Sequence, residues 1–293
     1  MERKKDMLNG KKISCIAFDL DRTLLRSDGS LSARTKHALE LAASRGIELA
    51  ALSGRPFCAL PGVILSLSGL HYAAVSNGAA VYRIGCAAEA ERIHSRTLEK
   101  EDVLRILRGM QPLFESRSIS YEVFTGGISY APEEYLRSLE KYGFSAQAAD
   151  YTRSTRRPVE NIISFIETNA GQLDSLDIIL KDSAGKMALS KRLLQEMPGI
   201  YVTSSMAHRV EISHRNASKA EGLRFILQEL GLPAAEAIAF GDGENDADML
   251  RFAGIGAAVK NAAPECLAAA DLVCGSNDED GAAQLIEKIL GAE

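Results

Sequence analysis

Residues 13–18 form a nearly unbroken apolar run that stops at Asp19. A run of this length suits a strand covered on both faces in a parallel sheet. Ser32 is placed to cap a helix whose apolar positions Ala38, Leu39, Leu41 and Ala42 share one face, and Gly46 ends it. A second apolar strand over 47–52 leads into Ser53-Gly54-Arg55, and a third over 72–75 leads into Ser76-Asn77-Gly78. Strand, helix and strand in that order predict an α/β fold built on a doubly wound parallel sheet.

From about Val81 the texture changes. Short strand-like pieces at 119–124 and 161–166 alternate with charged helical stretches at 99–108 and 132–141, as in an inserted α+β unit. After about Ser213 the first texture returns, with a helix over 218–230, a strand over 237–240, a helix after Glu244, a strand over 255–259 and a closing helix over 281–290. The reading is one discontinuous core domain, residues 1–82 and 215–293, interrupted by an inserted cap over 83–214. Residues 151–158, rich in Arg, Ser and Thr, read as an exposed loop.

Composition narrows the function classes. The 293 residues are 46% hydrophobic and 25% charged, ordinary for a globular chain. A net charge of -5 offers no broad cationic surface for a nucleic acid backbone, so an anion site must be local. The five cysteines, Cys15, Cys58, Cys86, Cys266 and Cys274, are scattered without a C-x-x-C pair, which argues for buried thiols rather than zinc or a redox dithiol. The basic start runs into only six apolar residues and reads as a frayed leader. No run approaches a membrane span, and the expectation is a cytoplasmic protein, monomeric or a small homo-oligomer, acting on a small molecule.

In a parallel sheet each strand delivers its following loop to the same edge, so Asp19, Ser53 and the acidic loop 241–246 should converge. A carboxylate that attacks a phosphate ester meets a group of like charge, and cations must offset that repulsion. Magnesium (Mg2+) needs two or three hard oxygen ligands while keeping several waters; Asp19, the backbone carbonyl of Asp21, and Asp242 can provide them. Lys219 at a helix start adds a fixed positive charge. The Ser53 hydroxyl, the Gly54 N–H and the Asn245 amide supply neutral donors to phosphate oxygens. Asp21, two residues beyond Asp19, lies on the same side of an extended chain and can act as general acid and then base. Asp246 is expected to support Lys219 or the metal shell.

Asp19-Leu20-Asp21-Arg22-Thr23-Leu24, Ser53-Gly54-Arg55, Lys219 and Gly241-Asp242-Gly243-Glu244-Asn245-Asp246 together resemble the haloacid dehalogenase superfamily. The large insertion, Ser76-Asn77-Gly78-Ala79, Asn261-Ala262, Ala270-Asp271 and Glu279-Asp280-Gly281 resemble its Cof-type (subclass IIB) branch. The resemblance covers both core segments and is only positional for the cap. It implies a Rossmann-like core with an α/β cap, a magnesium-dependent phosphatase, catalytic and metal roles on Asp19, Asp21 and Asp242, and phosphate contacts from the Leu20 backbone, Ser53, Gly54, Lys219 and Asn245. One departure stands out: Arg22 occupies a position where most relatives have Gly. It either points to solvent, or narrows the pocket or reads a second anionic group.

Other features carry less. Gly254-Ile255-Gly256 matches half of a dinucleotide fingerprint without its acidic partner. His71, His94, His208 and His214 lack ligand spacing. Arg153, Arg156 and Arg157 could meet an anionic substrate from the cap, although such runs are usually solvated. Thr125-Gly126-Gly127 is a loop over a pocket or a plain turn. The expected activity is hydrolysis of a sugar phosphate or similar phosphomonoester through an aspartyl-phosphate on Asp19. A phosphomutase or phosphotransferase with the same intermediate, and a non-catalytic binder of phosphorylated ligands, are the alternatives.

Overall fold

The computed structural model describes residues 7–8, 10–85, 89–204 and 206–291; residues 1–6 and 9 of the basic leader, and Cys86, lie outside them. The chain divides into two compact units. The first runs to Gly54, takes up again over Leu60–His94 and closes the chain from Ser218; the second comprises Arg55–Ala59 and Ser95–Ala217.

An eight-stranded sheet organises the first unit, in the order Leu272–Cys274, Ile255–Val259, Ala237–Gly241, Cys15–Phe18, Glu48–Leu52, Leu70–Val75, Ala80–Ile84, Ala90–Ser95. The first six are parallel neighbours, and Ala80–Ile84 turns back antiparallel on Leu70–Val75. From the central Cys15–Phe18 the chain winds outward through Glu48–Leu52 and Leu70–Val75. When it returns it pairs Ala237–Gly241 on the other side and winds the opposite way. The direction therefore reverses between the strands that end at Phe18 and Gly241, the place where open α/β sheets bind ligands.

Ser32 caps the Ala33–Ser44 helix, its Oγ accepting from the Thr35 N–H at 3.0 Å, and Gly46 follows at φ 84°. The Lys219–Leu230 helix buries Leu223, Ile226 and Leu227 in one core with Cys15, Ala17, Ala50, Leu52 and Ala74 of the sheet. Two glycines allow that approach: a Cβ on Gly222 would stand 2.8 Å from the Ala74 Cβ, and one on Gly78, at φ 87°, would stand 2.0 Å from the Ser218 carbonyl. Among the described residues no helix is long and apolar enough to cross a membrane.

Sequence texture places the start of the insertion at residue 83, whereas the first unit reaches His94, because Ala80–Ile84 and Ala90–Ser95 extend its sheet. Arg55–Ala59 goes with the second unit, where the Cys58 N–H donates to the Gly127 carbonyl at 2.9 Å. Cys58 is also exposed, unlike the buried Cys15 and Cys266, so the expectation of buried thiols fails there.

The second unit is built on a six-stranded sheet in the order Arg156–Val159, Ile128–Pro132, Ile119–Thr125, Ser175–Leu180, Arg209–His214, Ile200–Thr203. Its strands alternate. Tyr121, Val123, Leu176, Ile178, Val210 and Ile212 share a core with helices Lys100–Glu115, Ile162–Asn169 and Lys186–Glu196. The intervening Glu122, Asp177 and Glu211 stand in cross-strand register on the opposite face.

Three expectations need correction here. Residues 161–166 open a helix, not a strand: Asn161 caps it by accepting from the Ser164 N–H at 3.0 Å, and a short apolar run alone does not separate the two states. Residues 151–158 are the end of the Ala146–Thr155 helix and the Arg156–Val159 strand rather than a loop. Arg156 is buried because Glu122, distant in sequence, accepts from its Nε at 3.0 Å. The stretch 132–141 breaks at Ser138, with φ -136°, into Glu133–Leu136 and a short turn Leu139–Tyr142. Gly126 and Gly127, at φ 60° and 78°, make the two-residue turn between Ile119–Thr125 and Ile128–Pro132.

Candidate active site

The site is assembled where the winding direction reverses. Asp19 follows the central strand, is 5% exposed, and donates its N–H to the Phe240 carbonyl at 3.0 Å, fixing it against the neighbouring strand. Asp242 follows that neighbour, and a Cβ on Gly241 would meet the Asp246 Cβ at 2.5 Å, so the acidic loop folds tightly onto the strand end. Carboxylate oxygens of Asp19, Asp242 and Asp246 all lie within 4.8 Å of one another.

Lys219 closes the group. Its Nζ donates to Asp19 Oδ1 at 2.6 Å and to Asp246 Oδ1 at 2.6 Å, and the side chain is 1% exposed. A lysine that pattern alone makes a surface residue is thus among the largest fully buried side chains. It sits at the first turn of a helix whose cap, Ser218, accepts from the Glu221 N–H at 3.2 Å. Asp246 spends its other oxygen on the Asp242 and Gly243 N–H groups, at 3.0 and 2.9 Å. With both its oxygens engaged, it braces Lys219 and the acidic loop.

Thr23 Oγ1 donates to Asp242 Oδ1 at 3.1 Å, a contact that sequence reasoning missed although the Asp-x-Asp-x-Thr spacing carries it. Asn77 was missed as well. Its N–H donates to the Ser53 carbonyl at 3.0 Å and its Oδ1 accepts from Asn245 Nδ2 at 2.9 Å, so it ties together two expected phosphate contacts. A Cβ on Gly54 would stand 3.3 Å from that same Oδ1. Ser53, Asn77 and Asn245 are all buried, and Ser76 and Asn77 hold φ of 51° and 53°, a left-handed pair seldom taken by residues with side chains.

Asp19 and Asp21 both hold extended backbone, at ψ 162° and 122°, and Leu20–Leu24 forms a wide turn closed by the Leu25 N–H on the Leu20 carbonyl at 2.8 Å. Asp21 is exposed while Asp19 is buried, and the clustered carboxylates are Asp19, Asp242 and Asp246.

Electrostatics follow from this crowding. Burial raises the Asp19 carboxyl well above the usual range; Lys219 opposes the rise, and the charges of Asp246, Asp242 and Asp21 add to it. Burial likewise pushes Asp242 up to about 6, with Asp246 adding and Lys219, the Thr23 hydrogen bond and Arg22 opposing. Burial disfavours the Lys219 ammonium, but Asp19 and Asp246 outweigh it and hold its pKa above the ordinary lysine value. Three clustered carboxylates thus share one buried ammonium, and the donors facing the surplus charge are hard oxygens of Asp19 and Asp242. That donor set fits a small divalent cation such as magnesium.

Comparison with known proteins agrees with this geometry. The family model for haloacid dehalogenase-like hydrolases matches residues 16–286, nearly the whole chain. The chain belongs to the haloacid dehalogenase-like hydrolase family. Phosphatase YwpJ of Bacillus subtilis is 29% identical over 291 residues, covering 94% of this chain and 99% of its own. A haloacid dehalogenase-like hydrolase structure from B. subtilis superposes with a TM-score of 0.80 at 28% identity, over 94% of this chain and 99% of the other. The subclass IIB sugar phosphatase BT4131 shares the fold, with a TM-score of 0.76 at 21% identity over 96% of this chain and 100% of the other. Within the superfamily this hydrolase is therefore of the Cof type, a phosphoric monoester hydrolase with a Rossmann-like α/β core.

Proposed function

We propose that this hydrolase is a magnesium-dependent phosphatase of small phosphorylated metabolites and that Asp19 is its nucleophile. The observation that carries the reading is the ammonium of Lys219 held 2.6 Å from both Asp19 and Asp246, with Asp242 in the same carboxylate cluster. Lys219 takes one Asp19 oxygen and leaves Oδ2 for an incoming phosphorus.

Asp19 and Asp242, with the backbone carbonyl of Asp21, would hold the magnesium ion. When bound, the ion supplies positive charge that offsets repulsion between the Asp19 carboxylate and the phosphate. Asp19 attacks phosphorus, the ester P–O bond breaks, and Asp21 as general acid protonates the departing oxygen. Asp21, now a carboxylate, takes a proton from water; the water oxygen attacks the aspartyl-phosphate, and inorganic phosphate leaves with Asp19 restored. Lys219 steadies the nucleophile. The Leu20 backbone, Ser53, Gly54 and Asn245 donate to the phosphoryl oxygens, and Asn77 positions Ser53 and Asn245.

A panel of phosphate esters, beginning with sugar phosphates, tests this with purified protein and Mg2+ by release of inorganic phosphate. Turnover that needs Mg2+ and disappears in Asp19→Asn is the expected result. Equal turnover by Asp19→Asn removes the mechanism.

A further inference from the structure

Arg22 holds φ 61° and ψ 7°, a left-handed conformation that glycine adopts freely and residues with side chains adopt rarely. The turn is held in place from two sides. Asn261 Nδ2 donates to the Arg22 carbonyl at 2.9 Å, its Oδ1 accepts from the Asn277 N–H at 3.0 Å, and Asn277 Nδ2 donates to the Leu25 carbonyl at 3.0 Å. Asn277 itself is buried. These asparagines come from the loops after Ile255–Val259 and Leu272–Cys274, so the sheet fixes the strained residue rather than leaving it free to relax.

What this backbone presents is a guanidinium at the mouth of the carboxylate cluster. The Arg22 side chain is 67% exposed, and its Nε lies 4.0 Å from Asp242 Oδ2, beyond hydrogen-bond distance. Its planar fork of N–H donors makes no hydrogen bond among the described residues. An exposed ion pair of that length gains little, so attraction to Asp242 does not account for an arginine at a position whose backbone favours glycine. An oxyanion seated on the fork does: guanidinium geometry matches carboxylate and phosphate bidentately.

The geometry points to Arg22 as a specificity-determining residue that reads a second oxyanion, a carboxylate or a further phosphate, on the part of the substrate that leaves. This rests on the phosphatase reading above and names the substrate class: phosphate esters whose leaving group is itself anionic.

Two matched pairs test it with the full chain and Mg2+: a polyol monophosphate against the bisphosphate of the same polyol, and a phosphorylated hydroxy acid against its neutral amide. The wild type is expected to prefer the anionic member of at least one pair, and the responding pair identifies the oxyanion. Arg22→Ala should lower that preference, as the ratio of kcat/KM values, by about ten- to hundredfold, chiefly through KM. Arg22→Lys, a point charge without the fork, should keep part of it. Arg22→Gly fits the backbone, so it should lose the preference as Arg22→Ala does, with a thermal midpoint no lower than the wild type's. No preference in either pair, or variant ratios within about threefold of wild type, overturns the inference and leaves the phosphatase reading standing. Absence of phosphate release from every ester by the wild type overturns both.

Discussion

Lys219 and Asp19, separated by 200 positions in the chain, form a buried ion pair of 2.6 Å. The pair joins the first turn of a late helix to the end of the first core strand, and Asp246 completes it from a third segment. Lys219→Met removes the ammonium shared by Asp19 and Asp246 and leaves buried carboxylates facing one another. A loss of about 3–5 kcal/mol is expected for the metal-free protein in denaturant unfolding, because an uncompensated buried charge is costly. A loss below about 1 kcal/mol would mean that the pair contributes no more than a surface contact.

Asp19→Asn keeps the size of the side chain and an oxygen for Lys219 while removing the attacking carboxylate. It should fold with a wild-type circular dichroism spectrum and release phosphate at least ~10³-fold more slowly. Activity within about tenfold of wild type would exclude Asp19 as nucleophile.

Asp242 contributes to the pH dependence of the metal-free protein. Its folded pKa is pushed up to about 6 from an ordinary 3.8. Between those values the folded chain holds a proton that the unfolded chain has released, so stability from this group is full below about pH 3.8 and falls as pH rises towards 6. Asp242→Asn abolishes the penalty, and its unfolding free energy relative to wild type should therefore improve from pH 4.5 to pH 7 by about 2 kcal/mol in chelator. Added Mg2+ should reverse the ranking at pH 7, because only the wild type offers the carboxylate. A difference that does not change with pH would remove the burial argument.

Asn77 separates strain from positioning. Asn77→Gly suits φ 53° but deprives Asn245 of its acceptor. Its stability should stay within about 1 kcal/mol of wild type while kcat/KM for phosphate release falls roughly tenfold. Asn77→Ala should show the same catalytic loss and an additional ~1 kcal/mol of destabilisation from the left-handed backbone. Wild-type kinetics in both variants would deny Asn77 its positioning role.

In the second unit Glu122 is fully buried and accepts from Arg156 at 3.0 Å and Tyr135 at 2.8 Å, with Arg209 at 3.1 Å. These cations hold its carboxyl below the usual range despite burial. Glu122→Gln takes the carboxylate from buried Arg156 and leaves Arg209 paired with Asp177, and a loss of about 3 kcal/mol is expected, read from denaturant unfolding followed by tyrosine fluorescence.

Much of this was legible in one dimension. The Gly281–Leu290 helix and the Ile255–Val259 strand lie where the apolar spacing puts them, because periodicity reports which face meets a core. Asp19, Ser53 and Asp242 could be expected at one edge because parallel strands all deliver their loops there. The helix at Asn161, the strand at Arg156 and the wide turn at Leu20–Leu24 were not legible. Each is decided by a partner or a backbone turn that no local pattern encodes, such as Glu122 beneath Arg156.

The α/β core, its interruption, and the kinds of side chain at each strand end could be read along the chain, since local pattern and residue chemistry are properties of neighbours in sequence. Folding alone buries Lys219 between Asp19 and Asp246, sets Asn77 against Asn245, and fixes Arg22 in a left-handed turn through Asn261. Those are relations between segments far apart in sequence, and burial, ionisation and strain arise only when packing brings such segments within a few ångströms.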